Sequence, residues 1–177
     1  MTRCEECAFD FESVSPESAP ATVRDFGRRY RAPLTRLLKG EDESVLRARP
    51  APDVWSAIEY AAHVRDVFTL FDRRVAQIVA EDEPDLEVVD HDAVVAAGDS
   101  NTLAPAAVTD ELATAADGLA GRLEGLTPEQ WDRAGTREGE RRTVLDIARR
   151  AAHEGNHHLL DIGRGLRAVR QGDSPHN

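Results

Sequence analysis

The 177-residue chain has only two cysteines, Cys4 and Cys7, and two cysteines build no disulfide framework. It has no run of about 18 apolar residues, so the sequence predicts no membrane span. Lysine occurs once, at Lys39, and the basic residues are otherwise arginine. The 22 basic side chains face 33 acidic ones, a formal net charge of −11. Such a surface repels nucleic-acid phosphates and anionic lipid, and no basic run or basic-aromatic stripe offsets it. The N-terminal string M-T-R-C-E-E-C-A-F-D-F-E is acidic and has no apolar h-region. No secretory signal is expected from it, and a cytoplasmic location follows by default. No alternating pattern is long enough to predict a sheet, and no internal repeat is present.

What remains is helical. Apolar residues make up 41 % without counting glycine, enough for one globular core. Residues 1–15 carry little helical pattern and read as an arm bearing the C-x-x-C pair, 16–170 as the helical domain, and 171–177 as a fraying tail. Ser15-Pro16-Glu17 reads as a helix start. Val23, Phe26, Tyr30, Leu34, Leu37 and Leu38 then keep helical spacing to an end at Gly40, with a kink at Pro33. Ser56 and Glu59 form a capping box with Trp55 before it, opening a helix that should run to about residue 80. The acidic stretch 81–102 reads as a long connection with a short helical piece around Ala93. A connection of that length lets two neighbouring helices run parallel. The next helix spans Ala106 to Leu123, Thr127 with Gln130 caps a short turn, and 132–142 reads as loop. Thr143 with Asp146 caps a last helix from Val144 to about Val169. Burying four amphipathic stripes calls for an all-α four-helix bundle.

Six histidines occur, and His153 and His157 stand i, i+4 on the last helix, so one face presents both imidazoles. Such a pair can grip one metal ion, and His63, mid-helix at the edge of an apolar stripe, is the candidate third ligand. Three neutral nitrogens leave a coordination position open to water or substrate. The competing reading is three unrelated polar histidines. Glu154 could serve as a general base, although adjacent helix positions point about 100° apart. Asp66 and Asp161 lie within a turn of a candidate ligand and could orient imidazoles, or could be ordinary solvated charges.

Two strings carry a family resemblance: W-S-A-I-E-Y-A-A-H-V-R-D-V (Trp55–Val67) and A-A-H-E-G-N-H-H-L-L-D-I-G-R-G-L (Ala151–Leu166). They resemble the signature helices of the DinB-like metal-binding superfamily, the DinB and YfiT-type bundles. The resemblance implies an up-down-down-up four-helix bundle and a metal triad at His63, His153 and His157, with His158, the second of the H-H doublet, left out. D-H-D-A (Asp90–Ala93) and D-I-G-R-G resemble the actinobacterial, mycothiol-dependent branch. The related maleylpyruvate isomerases place a glutamate among the metal ligands. Histidine at all three matched positions here favours a thiol S-transferase. The implied cofactors are a divalent ion, with zinc ahead of nickel or iron, and mycothiol as thiol co-substrate. The implied partners are a small thiol and an electrophile, and homodimerisation is expected only as a base rate. A non-catalytic metal-binding stress module and a metal-assisted hydrolase are the rival readings.

Cys4 and Cys7 could be half of a zinc site, for which His91 and His176 are the spare histidines, but an exposed thiol pair is the simpler expectation. Trp55 and Trp131 read as packing anchors. Arg65, Arg73, Arg74, Arg149 and Arg150 could meet an anionic substrate if they line the bundle mouth, and otherwise form solvated faces.

Overall fold

The computed structural model describes residues 2–90, 93–95 and 98–172. His91, Asp92, His176 and the end of the tail lie outside the described residues. Four long helices carry the fold: α1 (Ala19–Thr35), α3 (Ala57–Ala80), α4 (Pro105–Glu124) and α5 (Val144–Gly172), with a single turn, α2 (Ser44–Arg47), between the first two.

Ion pairs across the bundle fix its directions. Arg65 binds Glu111 and Asp72 binds Arg122, so α3 and α4 run parallel, as the long connection allows. Arg31 binds Asp110 and Arg24 binds Glu124, so α1 opposes α4. Tyr30 donates to the Gly155 carbonyl (2.9 Å) while Arg170 binds Glu41, further along both segments, so α1 and α5 run parallel. The result is the up-down-down-up bundle. Its core is aliphatic and aromatic, with Phe26, Tyr30, Ile58, Phe68, Leu112, Leu119 and Ile162 almost fully buried.

Three caps form as the spacing predicts. Glu59 accepts from the Ser56 backbone N–H (2.8 Å) while the Ser56 hydroxyl accepts from Glu59 (3.2 Å). Thr127 with Gln130 forms a second box, and the Thr143 hydroxyl accepts from the Asp146 N–H (3.0 Å). Glu59 is 3 % exposed and is also gripped by Arg49, which pins the start of α3 and the residues one turn later.

Four details differ from the sequence reading. The helix begins at Ala19, because Ser15 and Ser18 bond to each other in a turn ahead of it. It ends at Thr35, two residues past Pro33, and the exposed Leu37 and Leu38 fall outside it. Gly40 sits beyond, at φ 93°. Residues 132–142 contain an antiparallel hairpin, β1 (Ala134–Arg137) and β2 (Glu140–Thr143), turning through Glu138 and Gly139, both at positive φ. The Leu86 N–H donates to the Thr136 carbonyl and the Thr136 N–H to the Pro84 carbonyl (2.8 Å each), in parallel sense, so the connection 84–86 lies along β1. A Cβ on Gly135 would come within 2.7 Å of the Pro84 carbonyl, which is why glycine is needed there. Residues 93–95 are helical, as expected. No described helix is long and apolar enough to cross a membrane.

Candidate metal centre

α3 and α5 run antiparallel and meet where His63 faces the middle of α5. At that level α5 carries no bulk: a Cβ on Gly155 would lie 2.6 Å from the Phe26 ring, so glycine lets α1 close against this turn. The residues around Gly155 sort by helix angle. Glu154 and His158, four apart, turn toward α3; His153 and His157, also four apart, are rotated by about 100° and turn toward the N-terminal arm.

The structure therefore divides the three predicted histidines. His63 stands with Glu154 and His158, and their ligand atoms all lie within 4.8 Å of one another. Glu154 Oε2 is 3.2 Å from His158 Nε2 and 3.7 Å from His63 Nε2. His153 and His157 stand instead with Cys4 and Cys7, within the same mutual limit. Asp161 Oδ2 touches both sides, 3.1 Å from His158 Nδ1 and 3.4 Å from His157 Nε2. Asp66 takes no part, because it accepts from Arg65 (2.8 Å) beside α4.

The group facing α3 is a two-histidine, one-carboxylate set. His63 is 6 % exposed, and Trp55 covers it at a ring separation of 5.3 Å. Tyr60 stacks on His158 at 5.3 Å. Trp55 is thus both a packing residue and a wall of the site. Burial disfavours the Glu154 carboxylate, but the imidazoles of His153, His158 and His63 beside it hold its pKa well below the ordinary range. Burial likewise works against a charged His158, but Asp161 and Glu154 raise its pKa to about 9. These charges satisfy one another. Carboxylate and imidazole donors converging on one point suit a divalent ion of the zinc, iron or nickel type, and Asp161 would hold His158 by its far nitrogen, as carboxylates commonly do behind metal-binding histidines.

Two cavities adjoin the group. One of about 540 Å³ is lined by Glu154 with Val67, Phe71 and Ile147, and by Arg74, Arg137, Arg142, Arg149 and Arg150. The other, about 330 Å³ and more open, is lined by His158, Asp161, Trp55 and Tyr60. Of the arginines singled out from sequence, Arg74, Arg149 and Arg150 reach the larger cavity, whereas Arg65 and Arg73 are tied to acidic partners on the surface. Arg74 is 8 % exposed, and neither its Nε nor that of Arg137 has a hydrogen-bond partner among the described residues. Sequence periodicity gave no sign of Arg137 and Arg142, which the hairpin brings in. Glu154 and His158 were legible as a second i, i+4 pair offset by one residue from the pair selected.

Comparison with known proteins agrees with this architecture. The chain is similar in structure to YfiT from Bacillus subtilis, described as a probable metal-dependent hydrolase with an unusual four-helix bundle topology. The TM-score is 0.78 at 19 % identity, over 91 % of each chain. It is also similar to the mycothiol-dependent maleylpyruvate isomerase, with a TM-score of 0.67 at 16 % identity, covering 86 % of this chain and 62 % of that one. At these identities the likeness shows the fold. No curated protein matches the sequence. The DinB superfamily model matches residues 28–162, which include α3, α4 and the part of α5 that carries the candidate ligands, and the chain belongs to the DinB superfamily.

Proposed function

We propose that the protein is a metal-dependent enzyme that activates a low-molecular-weight thiol, with mycothiol the leading candidate, against an anionic small-molecule electrophile. The observation that carries this reading is the convergence of His63, Glu154 and His158 between two cavities. A divalent ion held there would supply Lewis acidity that lowers the pKa of a bound thiol.

The chain's own residues supply the rest. Arg74 and Arg137 each carry a buried Nε–H without a hydrogen-bond partner among the described residues, and a carboxylate in the larger cavity would satisfy both. Burial and the neighbouring Arg137 depress the Arg74 pKa, a repulsion that an anion between them would relieve. Val67, Phe71 and Ile147 give the same cavity an apolar wall that limits water beside Glu154. Trp55 and Tyr60 shape the second, open cavity, which suits the entry of a flexible thiol.

Glu154 in the ligand group bears on the reaction type. Histidine at every ligand position would favour S-transfer over isomerisation. A carboxylate ligand removes that preference, so thiol conjugation and thiol-assisted isomerisation both fit the site. The test is thiol-dependent consumption of carboxylate-bearing electrophiles by the metal-loaded protein. Activity that falls at least about a hundredfold in His63→Ala, with KM for the electrophile raised about tenfold or more in Arg74→Ala, is expected. Thiol-independent hydrolysis of the same compounds, or activity untouched by His63→Ala, would refute the reading.

A further inference from the structure

The arm before α1 has little to hold it by ordinary means. It contains one short helical turn, Phe11–Ser13, and one bridge, Arg3 to Asp10. Among its described residues only Val14 is buried. Yet it is wrapped tightly: the Cys4 N–H donates to the Phe9 carbonyl (2.9 Å), and Ala8 adopts φ 57°, a left-handed conformation that alanine avoids. This turn places both thiols of C-x-x-C toward α5.

There they meet the two histidines that do not face α3. Cys4 Sγ is 3.8 Å from His157 Nδ1. The sulfurs of Cys4 and Cys7 and one nitrogen from each of His153 and His157 all lie within 4.8 Å of one another. His153 is 9 % exposed, and neither of its ring nitrogens has a hydrogen-bond partner among the described residues. Phe11 stacks on it at 4.9 Å and Phe9 meets it edge-on at 5.8 Å, so apolar rings close it off. Glu154 Oε1 lies 3.5 Å from its Nδ1 without making a hydrogen bond, and a buried imidazole that makes no hydrogen bond is costly unless another partner, such as a metal ion, engages one of its nitrogens.

We propose that Cys4, Cys7, His153 and His157 form a second metal site, a structural zinc that fastens the N-terminal arm to α5. Two thiolates and two imidazoles, from C-x2-C and H-x3-H spacings, are the donor set and geometry of closed tetrahedral zinc sites, with no position left for substrate. Binding displaces the two thiol protons to solvent. It would also give one nitrogen of His153 a Lewis-acid partner for its lone pair. The cross-link ties residues 4 and 7 to residues 153 and 157, a long loop closure that the arm's few apolar contacts do not provide. The arm has work to do in that position: Thr2, Phe11 and Glu12 form part of the wall of the 540 Å³ cavity. The site stands independently of the thiol chemistry proposed above, since it shares no ligand with the group facing α3.

The test is cobalt substitution of the full-length protein, read by absorption and by elemental analysis. Thiolate-to-cobalt charge-transfer absorption is expected in the wild type and in His63→Ala, and is lost in Cys4→Ser/Cys7→Ser. Zinc content should be about two per chain, falling to about one in either variant. Limited proteolysis should cut the arm only in the cysteine variant. A wild-type spectrum without thiolate absorption, zinc content unchanged by the cysteine substitutions, or a Cys4–Cys7 disulfide in protein purified under reducing conditions would overturn the proposal. The wild-type spectrum decides the matter even if a variant fails to fold.

Discussion

The two sides of α5 at the level of Gly155 show how one helix turn can serve two chemistries. Toward α3, Glu154 and His158 join His63 in an oxygen- and nitrogen-donor group that opens onto cavities on either side. Toward the arm, His153 and His157 join two thiols behind a wall of phenylalanine, with no cavity of their own beyond the edge that His157 shares. The first group has the openness of a reactive centre and the second the closure of a fastening. They are not isolated from each other. Glu154 Oε1 is 3.5 Å from His153 Nδ1 while Oε2 serves the other group, and Asp161 reaches a histidine of each.

Substitutions can separate the two groups. The largest expected effect is in Glu154→Gln and His158→Ala, which should lower thiol-dependent turnover at least about a hundredfold and remove one metal, while His153→Ala, one face away, leaves most of the turnover. Equal losses in His153→Ala and His158→Ala would erase the distinction between the faces. Asp161→Asn should not discriminate: it should weaken metal affinity about 10- to 100-fold, read by chelator competition, and the effect should extend to both groups. Gly155→Ala tests the shared scaffold. Its methyl would strike the Phe26 ring, and a loss of about 1–3 kcal/mol is expected from urea unfolding.

A subtler contrast lies in pH. His158 has its folded pKa raised from 6.5 to about 9, so the metal-free folded state holds a proton that the unfolded chain has released. The resulting stabilisation is complete below about pH 6.5 and is lost as pH rises toward about 9. The urea midpoint of metal-free protein should fall over that window, and His158→Gln should flatten the slope. Smallest of all, Asp66→Asn should leave metal content and turnover unchanged, because Asp66 pairs only with Arg65 near α4.

The bundle was legible because its signals are local. Ser56 with Glu59, Thr127 with Gln130, and Thr143 with Asp146 announce three starts within four residues each, and the apolar stripes follow at helical spacing. The hairpin 134–143 was not, because β2 is largely exposed and neither four-residue strand alternates; only Glu138-Gly139 at its turn hints at it. The candidate metal ligands fall between these cases. The string H-E-G-N-H-H contains two i, i+4 pairs, 153/157 and 154/158, and spacing alone ranks neither. What separates the two pairs is the buried stripe Ile147, Ala151, Gly155, Ile162 and Leu166, on whose line His158 falls and His157 does not. The role proposed for Cys4 and Cys7 needed the fold outright, since the histidines beside them lie about 150 residues away in sequence.

The most direct test is an anomalous-difference map at the zinc edge from crystals of the zinc-loaded protein. Two peaks are predicted: one about 2.0–2.2 Å from nitrogen and oxygen atoms of His63, Glu154 and His158, the other about 2.0–2.3 Å from Cys4, Cys7, His153 and His157. A single peak bounded by His63, His153 and His157 would contradict the division of the two faces of α5.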